Sequence, residues 1–233
     1  VIDFDYDNPD FRKYMTESLK FWVKETNIDG YRADVAGFIP VDFWENARTE
    51  LDQIKPVFML AEWESRDLYK KSFDMTYSWS LWDKLREAVN HQKLAPLVEY
   101  LSHDVNSVPH NAYRMTFTDN HDKNSGEGNP YLNFGDGLKT AIVMTGVVNG
   151  MMLCYSGQEA GLNRSLKFFD KDPIEWKKDE NEHVRRLASE GSRPRLPWSF
   201  NLTEVINNPN LTLSILNNLI YDDSAYVRKS VAN

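Results

Sequence analysis

Along the first two thirds of the chain, apolar residues recur in two rhythms, a helical spacing of three and four and short continuous runs that read as strands. Phe11, Tyr14, Met15, Leu19, Trp22 and Val23 share one helical face behind Asn8-Pro9, a capping residue followed by a first-turn proline. They predict a helix over 9–25. Residues 28–35 are short and end in alternation, 41–54 are again helical in pattern, and 56–61 form an apolar strand. Strands are also predicted over 73–77 and 113–118, with one long helix over 81–101 between them. A buried helix over 137–148 precedes a last apolar strand over 150–155. Strands that alternate with helices and are apolar on both faces predict a parallel sheet covered by helices.

After Trp176 the rhythm changes to a charged patch, 177–182, followed by helical patterns with no strand between them. A boundary is therefore expected near Lys178, separating 1–177 from an all-α segment, 178–233. Glu182–Ala188 is echoed by Ala225–Val231 about 43 residues later, inside the period of HEAT-type helical repeats. Leu213, Leu216, Leu219 and Ile220 give the apolar stripe of a helix between the two copies.

The chain has 233 residues and is 41% hydrophobic, enough to bury a core. Its net charge of −8 opposes general affinity for phosphate backbones, so nucleic acid is not the expected partner. Aromatic residues, 13% of the chain, serve a core and can also stack on the apolar faces of sugars. Cys154 is the single cysteine, which excludes an internal disulfide, and its apolar neighbours predict burial. No apolar run reaches the roughly 18–20 residues of a membrane span, and residues 1–7 form no signal peptide.

Three strand ends carry chemistry-bearing groups. In Asp29–Asp34 the period of two places Arg32 and Asp34 on one face, and a guanidinium beside Asp34 favours its ionised form, the form a nucleophile needs. A structural ion pair would have the same sequence. Residues 57–61 deliver Glu62 at the end of an apolar strand, where burial beside Trp63 would raise its pKa and keep it protonated as an acid. Glu64 lies beyond that run and is expected to face solvent. The strand ending in Phe117–Asp122 offers His121 and Asp122 to sugar hydroxyls, with Asp119 as a bystander. Carboxylates at the C-terminal ends of three strands match the way parallel α/β barrels build active sites.

These three segments, in this order and spacing, resemble the α-amylase family of glycoside hydrolases, most closely bacterial amylases and related α-glucosidases, over about 1–176. Asp3–Pro9, Phe73–Leu81 and Tyr155–Gly161 resemble it as well. The resemblance implies that the first unit is the C-terminal portion of a (β/α)8 barrel, incomplete, with Asp34 as nucleophile, Glu62 as acid/base and Asp122 as transition-state stabiliser. It implies Arg32, His121, Asn120 and Trp63 as substrate-binding residues and an α-linked oligo- or polysaccharide as substrate. A retaining double displacement would place the two reacting carboxyls about 5–5.5 Å apart. Transglycosylation by the same groups stays open, as does α-1,4 against α-1,6 linkage. No cofactor is required for this chemistry. Asp3, Asp5 and Asp7 could ligate a structural calcium, although a solvated acidic loop is the expected reading. From the family, a secreted or periplasmic location is implied.

With the first strands of a closed barrel lacking, negligible activity is expected of the chain alone. The tail, about 181–233, resembles the HEAT-like repeats of DNA alkylation-repair proteins, with Arg185, Arg186, Arg193 and Arg195 as candidate phosphate contacts. Its charges roughly balance, which weakens an independent role on DNA. An artificial junction near Lys178 is the preferred origin of the combination, a natural fusion the second.

Overall fold

Asn8 opens the first helix by accepting the backbone N–H groups of Asp10 and Phe11, and Pro9 sets its first turn, so α1 spans Pro9–Thr26. Asn27, left-handed at φ 52°, closes it. The computed structural model describes residues 4–109, 112–174, 179–195 and 201–232. The chain forms two units, Val1–Asp172 and Pro173–Asn233.

Among the described residues of the first unit, five strands make one parallel sheet in chain order: β1 (Gly30–Ala33), β2 (Phe58–Ala61), β3 (Met75–Tyr77), β4 (Tyr113–Thr116) and β5 (Met151–Met152). Parallel neighbours require crossovers, and α2 (Val41–Asp52) supplies the first of them between β1 and β2. Consequently every strand presents its C-terminal end at the same rim. One part of the core packs Phe43, Ala47 and Leu51 of α2 against Met59 and Ala61 of β2 and Val23 of α1. The larger of these side chains each contribute about 1.5–3 kcal/mol by leaving water. A second part joins Leu81, Trp82 and Leu85 to Met115, Phe117, Phe134 and Ala141.

The sequence rhythm is corrected at three places. The expected helix over 81–101 is two helices, α3 (Trp79–His91) and α4 (Ala95–Ser107). Gln92 turns left-handed at φ 53° and donates back to the Ala88 and Val89 carbonyls, and Pro96 begins the next turn. After the short α5 (Pro130–Phe134), helix α6 (Leu138–Val147) buries Leu138, Ala141 and Thr145 but leaves Val143 and Val147 exposed. Cys154 is exposed rather than buried, because β5 is only two residues long and pairs with β4 alone among the described residues.

The second unit is helical: α7 (Glu182–Gly191), α8 (Thr203–Asn207), α9 (Asn210–Leu219) and α10 (Ala225–Val231). The two echoed segments are α7 and α10, joined by a hydrogen bond between the Ser189 and Ser230 hydroxyls. The Arg186 guanidinium lies 4.1 Å from the Tyr226 ring centre. The arginines considered for phosphate are engaged with acids: Arg185 with buried Asp222 at 2.8 Å, Arg186 and Arg193 with Glu190 at 2.8 and 2.9 Å. Arg195 lies in a bridge to Asn201. The expected junction at Lys178 falls outside the described residues. Among the described residues no helix is long and apolar enough to cross a membrane.

Candidate active site

Arg32, on β1, organises the rim. Its Nη1 donates to Asp34 Oδ1 at 2.5 Å, its Nη2 pairs with Glu62 Oε1, and its Nε donates to the Tyr77 hydroxyl at 3.4 Å. One rigid guanidinium fork thus holds two carboxyl groups from two strands, a task an ammonium could not perform with the same geometry. The residue after Asp34, Val35, is left-handed at φ 44°, a conformation that costs a β-branched residue about 1–3 kcal/mol. That turn aims its backbone N–H at Glu62 Oε2, 2.9 Å away.

The two carboxyls are set apart by their surroundings. The Arg32 hydrogen bond holds Asp34 below the usual aspartate range, against the opposing effect of burial. Desolvation pushes Glu62 above the usual glutamate range, with Val35 N–H and the Arg32 charge pulling the other way. Exposure explains the difference: the Asp34 side chain is 74% exposed and that of Glu62 only 11%. Arg32 clamps both carboxyls and so brings them together at the rim.

β4 brings the remaining groups. His121 Nε2 lies 3.7 Å from Glu62 Oε1 and 3.5 Å from Asp122 Oδ1, and its ring stacks on Phe168 with centres 6.2 Å apart. Arg32, Asp34, Glu62, His121 and Asp122 therefore meet at one rim. Glu62, His121 and Asp122 could each offer an atom to a metal ion, within 4.8 Å of one another. The same Glu62 oxygen already carries Arg32, which supplies the positive charge there.

Trp63 sits beside this group, half-buried, with its indole against Gly37 and 5.2 Å from the exposed Phe38 ring. A Cβ at position 37 would fall inside that indole, so glycine is required for the contact. Asn120 is 1% exposed; its Oδ1 accepts the Lys123 N–H at 2.8 Å, while its Nδ2 has no hydrogen-bond partner among the described residues. Asp5 accepts the Asp7 N–H at 2.9 Å in an exposed turn, and Asp3 lies outside the described residues.

Glu64 does not face solvent. It accepts the Ser80 N–H at 2.8 Å at the start of α3 and pairs at 3.0 Å with Arg114, which also holds Asp104 at 2.5 Å. All three side chains are less than a fifth exposed. Arg114→Ala strips both carboxylates of this cation and is expected to lower stability by about 3–5 kcal/mol in urea unfolding. Sequence reasoning missed Arg114, and it missed Tyr77, Val35 and Phe168 as partners of the site. Tyr77 ends β3 as Asp34 and Glu62 follow β1 and β2, and that shared position was the available signal.

Residues 1–203 match the family described as the α-amylase catalytic domain. The maltogenic α-amylase of Bacillus acidopullulyticus is 27% identical over 202 residues, covering 79% of this chain and 33% of that protein. Among solved structures, the noncanonic maltogenic α-amylase AmyB of Thermotoga neapolitana superposes with a TM-score of 0.67 at 31% identity. The match covers 79% of this chain and 43% of that one. A separate likeness, 57% identity over 60 residues, links 26% of this chain to 17% of the uncharacterized protein YhaZ of Bacillus subtilis. The chain thus spans a third or less of the length of these curated relatives.

Proposed function

The chain belongs to the α-amylase catalytic-domain family, and from that premise we propose that it carries the reacting carboxyls of a retaining glycosidase acting on α-glucans. The observation that carries this reading is the split pair: Asp34 held below the usual aspartate range and Glu62 pushed above the usual glutamate range, both against one arginine at the rim of a parallel sheet. Glu62 donates its proton to the glycosidic oxygen as the Asp34 carboxylate attacks the anomeric carbon, and the carbon–oxygen bond to the leaving sugar breaks. A water then gives a proton back to Glu62 and attacks the same carbon, releasing Asp34. Asp122 and His121 hold ring hydroxyls as positive charge develops, Arg32 keeps Asp34 ionised, and no cofactor takes part. Relatives named maltogenic amylase and cyclomaltodextrinase favour linear or cyclic maltooligosaccharides as the substrate class.

Proton NMR of a maltooligosaccharide digest, run with these residues in a complete (β/α)8 barrel, tests this. The first product formed should carry the α-anomeric configuration, which mutarotation then equilibrates. A β-anomer appearing first would mean a single displacement and would remove Asp34 as nucleophile.

A further inference from the structure

Two buried side chains below the rim have no place in that chemistry. Asp119 and Asn124 are each 2% exposed. Asp119 Oδ2 accepts from Asn124 Nδ2 at 2.7 Å and its Oδ1 accepts the Asn120 N–H at 3.1 Å. The opposite end of the same amide, Asn124 Oδ1, accepts the Leu166 N–H at 2.6 Å. An amide can flip, but a carboxylate accepts only, so Asp119 fixes the nitrogen inward and leaves the oxygen facing Leu166.

Leu166 belongs to the segment that follows β5, and other bonds fasten the same stretch. Ser125 Oγ donates to the Leu166 carbonyl at 3.2 Å, Asn129 Nδ2 to the Asn163 carbonyl at 3.0 Å, and Gln158 Nε2 to Thr118 Oγ1 at 2.8 Å. Two residues beyond Leu166, the Phe168 ring lies on His121, inclined by 26°. His121 in turn faces Glu62 and Asp122.

We propose that Asn124, aimed by Asp119, is a positioning residue that holds the 162–168 segment so that Phe168 fixes the His121 ring over the carboxyls. The role rests on the glycosidase reading for its purpose, but the relay itself is a matter of geometry. Burial pushes the Asp119 carboxyl up to about 6, with the Asn124 and Asn120 bonds opposing, so the acceptor is ionised above that pH.

The test is hydrogen exchange and imidazole NMR on the whole chain, at a pH above the Asp119 value, with Asp119→Asn and Phe168→Ala. In Asp119→Asn the amide at 119 competes as a donor, the Asn124 amide loses its fixed orientation, and Leu166 N–H exchange should accelerate about tenfold or more. The His121 ring resonances should shift in the same variant, while the sheet amides of Glu62 and Tyr113 keep their wild-type rates. Phe168→Ala, at a half-exposed position, should shift His121 and leave Leu166 unchanged. Wild-type exchange at Leu166 in Asp119→Asn, or equal acceleration of every amide, overturns the relay. So does an unmoved His121 in Phe168→Ala, a readout that holds even if Asp119→Asn fails to fold. Neither measurement uses turnover, so failure of the relay and failure of the glycosidase reading are told apart.

Discussion

Within a complete barrel, Glu62→Gln lowers turnover of maltooligosaccharides by about 10²–10⁴-fold, the range for removing a general acid, yet slows glycosylation by an α-glucosyl fluoride far less. Fluoride departs without a proton, so the first step no longer needs the acid, whereas a sugar alkoxide cannot leave without one. The pH profile carries the same signature. Glu62 must be protonated, so wild-type activity is lost as pH rises through its raised pKa; Asp34 must be ionised, so activity is lost as pH falls through its lowered one. In Glu62→Gln the alkaline limb disappears and the acid limb stays. Profiles of kcat/KM for the two proteins check this, and an alkaline limb that survives the substitution would assign it to another group.

Asp34→Gly should reduce turnover to the level of the buffer blank, because no carboxylate remains to form the intermediate. Its side chain is mostly exposed, so the loss should come with little change in the urea midpoint. Added formate should restore part of the rate by occupying the vacated space with an external carboxylate. Loss of activity together with a large fall in stability would instead make Asp34 a structural partner of Arg32.

Much of this site was legible because its groups follow strand ends. The period of two put Arg32 and Asp34 on one face, and the apolar run before Glu62 foretold its burial; both hold in three dimensions. Contacts made across long stretches of chain could not be read. Glu64 looked solvent-exposed because its cation, Arg114, is fifty residues away. Helices α3 and α4 merged in the sequence because the break at Gln92 is a backbone event that leaves the apolar spacing intact. Cys154 was misjudged for another reason: an apolar run looks the same in a central strand and in a short one paired on a single side.

The most direct measurement is trapping, carried out with these residues in a complete barrel. After incubation with a fluorinated α-glucosyl fluoride, which forms the glycosyl ester but slows its hydrolysis, mass spectrometry of the digested protein should find one added sugar, on the peptide containing Asp34. An adduct on the Glu62 or Asp122 peptide, or turnover with no adduct at all, would contradict the assignment of Asp34 as the nucleophile.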